Sequence, residues 1–547
     1  MLSKSLDSQA EGFSGDISIG YSSANEGKTT ALNTRYKTDN HAIFLGLDSE
    51  RGNNQSTPLG KNIFTGLERD FYSASYQYDN GQQRLVLSSN YNDTGETGTP
   101  ALPMDITYAQ GGISQLDFTT SLNEQWKLNA ALSYQYTKHL MDNYLHRIQL
   151  PVNQRASLTR VNKNGFSLQA SKTSDDGGVS FGLAFDDVDN TADISNPNNA
   201  QFHITNFDVN KQRISFFTEY QKQLSDKHQY MLGVRYTDTD ANAGTVQSSV
   251  AMMDNSMGLL HRTLRDRFNA ANRSRSDQNL DVMFNWQHTL NKNLSLEYGI
   301  AVKNRTPTHQ ERYLWLPLEA TAGLADGRQY LGNLDLESEQ AIQWELGMNF
   351  QQGAFTSSPH LFYHRINDYI QGVPNTVMPA PAGVLRYANV EAELYGFDVE
   401  SSYQFNEQFS MRHVITYVRG KRRDIDDNLY RIAPLNTWIN LSYTQQQWQF
   451  EADIMAAVRQ DKVSMTNTEK ETPGYGVLNL SVIKSFKSDS YVKLAVNNVF
   501  DKLYYQHTNG YNRNNNNIDV GFNPSDLQAF RLPSEGRSLQ VSYFYGW

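Results

Sequence analysis

The last eleven residues, Arg537 to Trp547, alternate in character almost without a break. Side chains of a strand point to opposite faces with a period of two. Leu539, Val541, Tyr543, Tyr545 and Trp547 therefore fall on one side, and Ser538, Gln540, Ser542 and Gly546 on the other, with Phe544 alone out of place. A terminal strand that is apolar on one face, polar on the other and ends on an aromatic residue suits a closed transmembrane β-barrel, whose outside meets lipid and whose inside meets water. Helical spans are excluded: mean hydropathy is −0.62, and no apolar run approaches the ~18 residues a spanning helix needs. Yet 31 Tyr, 26 Phe and 7 Trp are many aromatics for so polar a chain, as expected of two interfacial girdles around a wet lumen.

The same alternation, followed from Gly12 onward, gives paired strands with a short turn at one end and a long polar loop at the other. The short turns are read at 38–40, 79–81, 122–124, 174–178, 224–226, 290–292, 352–353, 405–407, 445–446 and 487–489, all of turn-forming composition. With the loops between them they predict an all-β, antiparallel transmembrane barrel of about 22 strands over residues 12–547, after a polar leader at 1–11. The long loops, at 53–69, 96–112, 143–154, 188–207, 241–275, 306–340, 372–384, 424–435, 463–474 and 507–536, are expected outside the cell and the short turns in the periplasm. A β-solenoid would show a repeat of ~20 to 50 residues, and none is present. Closure predicts that Phe13 to Ser22 runs beside Leu539 to Tyr545, since an open edge in lipid leaves backbone groups without partners.

Zero cysteines exclude a disulfide scaffold and thiolate metal sites, and a net charge of −10 argues against nucleic acid. His309 near Glu311, and Asp424 near Asp426 and Asp427, are loop acids and bases without a partnered nucleophile. They read as solvated charge rather than catalysis. An outer-membrane protease or lipase is the enzyme-class alternative, and the chain is read as no enzyme.

Several stretches resemble the TonB-dependent receptor family. Val496-Asn497-Asn498-Val499-Phe500-Asp501-Lys502-Leu503-Tyr504-Tyr505 is similar to its NLFDKxYY segment. Arg305-Thr306-Pro307 with Glu311-Arg312-Tyr313, then Gly332-Asn333-Leu334-Asp335-Leu336-Glu337-Ser338-Glu339, resemble its RxP…ER and GNxxLxxE segments. The resemblance implies an outer-membrane receptor that takes up scarce ligands with energy relayed by TonB. It is embedded in lipid and lipopolysaccharide, is monomeric, and carries metal as cargo rather than cofactor. The family's secretory signal, TonB box and plug are not among these residues: Met1 to Ala10 is polar, with no apolar core. The chain is thus expected to be a plug-less fragment, unable by itself to perform energised uptake and open as a wide pore.

Ala101-Leu102-Pro103-Met104-Asp105-Ile106 and His139-Leu140-Met141-Asp142-Asn143 look like segments of the TonB-dependent copper receptors, which implies a metal site combining a barrel HxM pair with a CxxxM pair from the plug. The physics of His139 and Met141 points the same way. On the strand from Trp126, Leu128, Leu132, Tyr134 and Tyr136 are outward, so His139 and Met141 point into the lumen. Residues two apart on one face lie about 7 Å apart, close enough for imidazole and thioether to meet one ion. Thioether is soft and selects Cu(I). Strand rise and tilt put His139 roughly 33 Å up, above a lipid band of ~25 Å. Met252, Met253, Met257 and His261 form a further soft patch in one loop, with Met104 and Met378 as weaker candidates. A siderophore or other iron-chelate receptor, a zinc receptor, or a passive pore are the alternatives.

Overall fold

The computed structural model describes residues 11–62, 64–318, 326–376, 383–486, 489–511 and 531–547. Among them, a single continuous antiparallel sheet closes on itself. It consists of 22 long strands, from Gly12–Ser22 to Ser538–Gly546, with a two-residue strand, Tyr330–Leu331, laid parallel against Leu385–Gln404. No described helix is long and apolar enough to cross a membrane. The seam is the predicted one: Asp16 pairs with Gly546 and Ser22 with Gln540. Trp547 locks the corner by exchanging two backbone hydrogen bonds with Gly15, each 3.0 Å. A Cβ on Gly15 would sit 2.4 Å from the Trp547 ring, so the close approach needs glycine there.

The alternation also appears as predicted. Leu539, Val541, Tyr543, Tyr545 and Trp547 are all exposed, as their lipid-facing positions require. Phe544, out of pattern, turns inward and stacks on Tyr491 at 5.2 Å. Short turns fall where expected, the pair 487–488 lying outside the described residues.

The expected loops need correction in several places. Segment 188–207 is no loop: strands Gly177–Asn196 and Asn199–Ser225 form one long hairpin joined at 197–198. At 20 and 27 residues they far exceed the 9–11 a spanning strand needs. The excess survives because its apolar positions, Ala192, Ile194, Phe202, Ile204 and Phe207, are buried in a core above the membrane. Strand Phe355–Pro374 runs three residues into the expected loop 372–384, of which 377–382 lie outside the described residues, and strand Asp105–Ser121 starts within the expected loop 96–112.

Segment 241–275 contains a helix, α1 (Ser256–Ala270), absent from the sequence reading. Asn255 caps it by accepting from Gly258 N at 2.8 Å. Leu260, Leu264 and Phe268, four apart, give it one apolar stripe. A second, single-turn helix, α2 (His309–Tyr313), opens on a capping box between Thr308 and Glu311. Both pack into the same core, with Tyr313, Leu314, Trp315 and Leu316.

Candidate functional site

The two stretches carrying Met104 and His139 come together. Strands Asp105–Ser121 and Trp126–Asp142 are neighbours, with Asp105 opposite Asp142, Ile106 opposite Met141 and Ala109 opposite His139; a bulge at Thr107 absorbs the extra residue. Leu132, Tyr134 and Tyr136 are exposed on the lipid side, so His139 and Met141 share the lumen side. His139 is half-buried among Ala109 and Thr159, and its Nε2 is sealed from solvent with no hydrogen bond. A buried imidazole nitrogen without a partner is costly and calls for a ligand or a water.

The two carboxylates beside the pair serve as braces. Asp105 is buried, accepts from Arg147 at 2.7 and 2.9 Å, and takes the Thr99 N–H at 2.7 Å. Asp142, also buried, accepts from Thr107 Oγ1 at 2.6 Å and from the N–H groups of Tyr144 and Leu145. Both fix where the strands end and the loops turn. Met104 is half-buried at this junction.

The methionine-rich loop divides. Met252, Met253 and Met257 are exposed, at 80, 45 and 53%. His261 is buried one turn further along α1, its Nδ1 2.9 Å from Ser248 Oγ and its ring edge-on to Trp315. Burial pushes its pKa down. The three thioethers form the outer patch, while His261 packs inward away from solvent. Met378 lies outside the described residues.

The motif residues at 305–339 meet in one ion-pair hub. Arg305 bridges Glu339, at 2.6 and 2.8 Å, and Glu311, at 2.9 Å. Arg312 is bidentate to Asp277, at 2.6 and 2.9 Å, and also donates to Leu336 O. Asn333 N donates to Glu311 O, closing the GNLD segment onto the ER segment. The spacing of these residues in sequence is therefore the spacing of two halves of a clasp.

Of the loop groups expected to be solvated, Asp424 and Asp426 are exposed, whereas His309, Glu311 and Asp427 are not. His309 is enclosed, edge-on to Phe207, and Asn190 donates to its ring at 3.1 Å. Burial first, then the Lys211 ammonium, drive its pKa down to about 4. Asp427 is buried and accepts from Met465 N, Thr466 N and Asn428 N. Burial would raise its pKa, but those hydrogen bonds hold it below the usual carboxylate range. Asp424 is paired with Arg422. The physical reason for the enclosed groups is that outer loops are packed on one another there, so these side chains face protein rather than water.

Sequence reading missed a cavity of about 320 Å³ beneath α1, lined by Arg267, Arg275, Arg386, Phe268 and Trp315. Arg386 donates to a neutral acceptor, Asn333 Oδ1, at 2.5 Å, while Arg275 pairs with Asp335. Its arginines are scattered over 120 residues, and no local signal joins them.

A closed barrel of 22 strands with a built-up outer loop layer defines an outer-membrane receptor barrel rather than a simple porin-like wall. The comparisons specify it. Residues 18–499 match the family model described as TonB dependent receptor-like, beta-barrel, and the chain belongs to that family. This makes it an outer-membrane receptor and not an enzyme, and any metal is cargo.

Among solved structures, the copper transporter OprC superposes with a TM-score of 0.83 at 17% identity, covering 98% of this chain and 84% of that one. The FrpB iron transporter from Neisseria meningitidis (F3-3 variant) gives 0.70 at 14%, covering 98% and 82%. The ferric enterobactin receptor PirA of Pseudomonas aeruginosa is 24% identical over 267 residues, 43% of this chain. That match spans only 35% of the relative's own length. Identities this low show the fold alone.

Proposed function

We propose that the chain is the barrel of an outer-membrane transporter for copper, with His139 and Met141 as its barrel-side ligands. The observation that carries this reading is the sealed, unbonded His139 Nε2 on the lumen side of a strand that also presents Met141 two residues on. Imidazole and thioether together favour Cu(I) over harder ions. The resemblance to the copper receptor segments and the likeness to a copper transporter support the same ligand. Met252, Met253 and Met257 would collect copper at the outer rim. TonB would supply the energy through a plug, and lipid with lipopolysaccharide would surround the wall.

The test is elemental analysis of the folded barrel after Cu(I) loading, comparing wild type with His139→Ala and Met141→Ala. Each variant is expected to lose most of its copper. Unchanged content in both would favour a second reading for which the arginine-lined cavity speaks: capture of an anionic iron chelate, since guanidinium forks match carboxylate and catecholate-type oxygens. A protein related over part of its length is a ferric enterobactin receptor.

A further inference from the structure

Elsewhere on the wall, strands Glu339–Gln352, Phe355–Pro374 and Leu385–Gln404 bring four ionisable groups to one patch of the lumen face. Leu361 and Tyr363 are exposed to lipid, as are Trp344 and Leu346. His360, His364 and Glu345 therefore point inward. In register, His360 stands opposite Asp398, and Phe362, between the two histidines, stands opposite Glu345. Glu345 is approached by both rings: His360 Nε2 lies 3.7 Å from Oε2 and His364 Nε2 lies 3.6 Å from Oε1. The other nitrogen of His360, Nδ1, is 3.3 Å from Asp398 Oδ1.

These separations are informative. A side-chain contact of 3.6 Å is no longer a hydrogen bond, so the separations of 3.6 and 3.7 Å are too long for one. His364 Nε2 is accordingly sealed from solvent with no hydrogen bond at all. Two ligands held about 2.0–2.2 Å from one tetrahedral ion stand roughly 3.4 Å from each other. Each histidine nitrogen therefore stands about one ligand-to-ligand separation from a different oxygen of Glu345, an open arrangement that a bound cation would tighten. Asp398 adds a second argument: by accepting from Nδ1–H it leaves His360 Nε2 as a bare lone pair facing the Glu345 carboxylate. In neutral imidazole that arrangement is repulsive and a cation between the groups, a proton or a metal ion, relieves it; a carboxylate behind a ligating histidine is the usual support of a metal-bound imidazole.

We propose that His360, His364 and Glu345 form a lumen-wall site for a divalent cation of the Zn(II) or Cu(II) kind, with Asp398 orienting His360. Two imidazoles and a carboxylate, without sulfur, make a harder donor set than His139 with Met141 and select a different ion or oxidation state. Among the described residues no three histidine or acidic groups already converge on one point, so binding draws the two rings in around Glu345. Gly347 stands opposite His360 and Gly299 opposite Glu345. The site shares no residue with the copper pair, so either can fail without the other.

The test is Zn(II) titration by calorimetry of residues 1–547, folded in detergent and freed of metal, with Cu(II) electron paramagnetic resonance to detect nitrogen ligands. The wild type and the His139→Ala/Met141→Ala double variant are expected to bind one Zn(II) that His360→Ala/His364→Ala lacks. Asp398→Asn is expected to weaken that site about 10- to 100-fold while leaving the stoichiometry intact. Heat-modifiable migration on gels confirms that each variant is a folded barrel. Zn(II) binding that is absent from the wild type, or unchanged in a folded His360→Ala/His364→Ala barrel, overturns the proposal.

Discussion

In the wall of the barrel, Leu232, Leu361, Leu494 and Val541 are exposed side chains that meet lipid. In the loop layer above it, Leu264, Phe268, Trp315 and Tyr330 are buried against one another as in a water-soluble protein. Charges follow the same division. Wall pairs such as Arg412 with Glu400 are half open to the lumen, whereas Arg312 and Asp277 are 2 and 8% exposed. The wall is held by a ladder that lipid makes obligatory, since unpaired backbone groups have no water to turn to. The loop layer has no such compulsion. Its order rests on apolar burial and on a few buried ion pairs, which are fragile when one partner is removed. The two regions should therefore fail separately.

Arg312→Ala should have the largest effect. It strands the buried Asp277 carboxylate and is expected to cost the loop layer about 3–5 kcal/mol. Hydrogen exchange over residues 306–318 should rise sharply while the strands stay protected. Loss of protection in the strands as well would show that wall and loops form one cooperative unit. The double variant Arg312→Met/Asp277→Leu is expected to recover most of the loss, because an apolar pair leaves no charge unpaired.

Leu232→Arg attacks the wall instead. Placing a charge on the lipid face should cost about 2–4 kcal/mol of barrel stability, read from urea unfolding in vesicles. Met231→Arg, one residue along and facing the lumen, should cost under ~1 kcal/mol. Equal losses would contradict the assignment of the two faces.

The smallest effect comes from pH. His309 is held to about 4 in the fold against an ordinary value of 6.5. Above pH 6.5 both the folded and the unfolded loop are neutral there, and the stability is complete. As pH falls from 6.5 towards 4, the unfolded loop takes up a proton that the folded one refuses, and stability is lost. The loss should be on the order of 2–3 kcal/mol. Protease sensitivity at 306–318 should rise over that window in the wild type and stay flat in His309→Gln.

Much of the wall was legible in the chain because lipid on one side and water on the other write a period of two into every strand. Strand number, turn positions, the closing pair and the lumen side of His139 and Met141 all followed from it. The Thr308-x-x-Glu311 capping box is a local pattern, readable in the chain although it lies inside an expected loop. The helix Ser256–Ala270 was hidden for a related reason: its stripe of Leu260, Leu264 and Phe268 lies in a segment that a barrel pattern assigns to solvent.

What the sequence determined by itself is the wall, where each residue's neighbours are solvent phases whose positions the alternation fixes. What only the tertiary structure decided is which distant residues meet. It joined Arg305 to Glu311 and Glu339, buried His309 and Asp427, and separated His261 from the exposed methionines. It also set His360 and His364 around Glu345. Those contacts depend on strand register and loop packing across tens to hundreds of residues, and no local pattern encodes them.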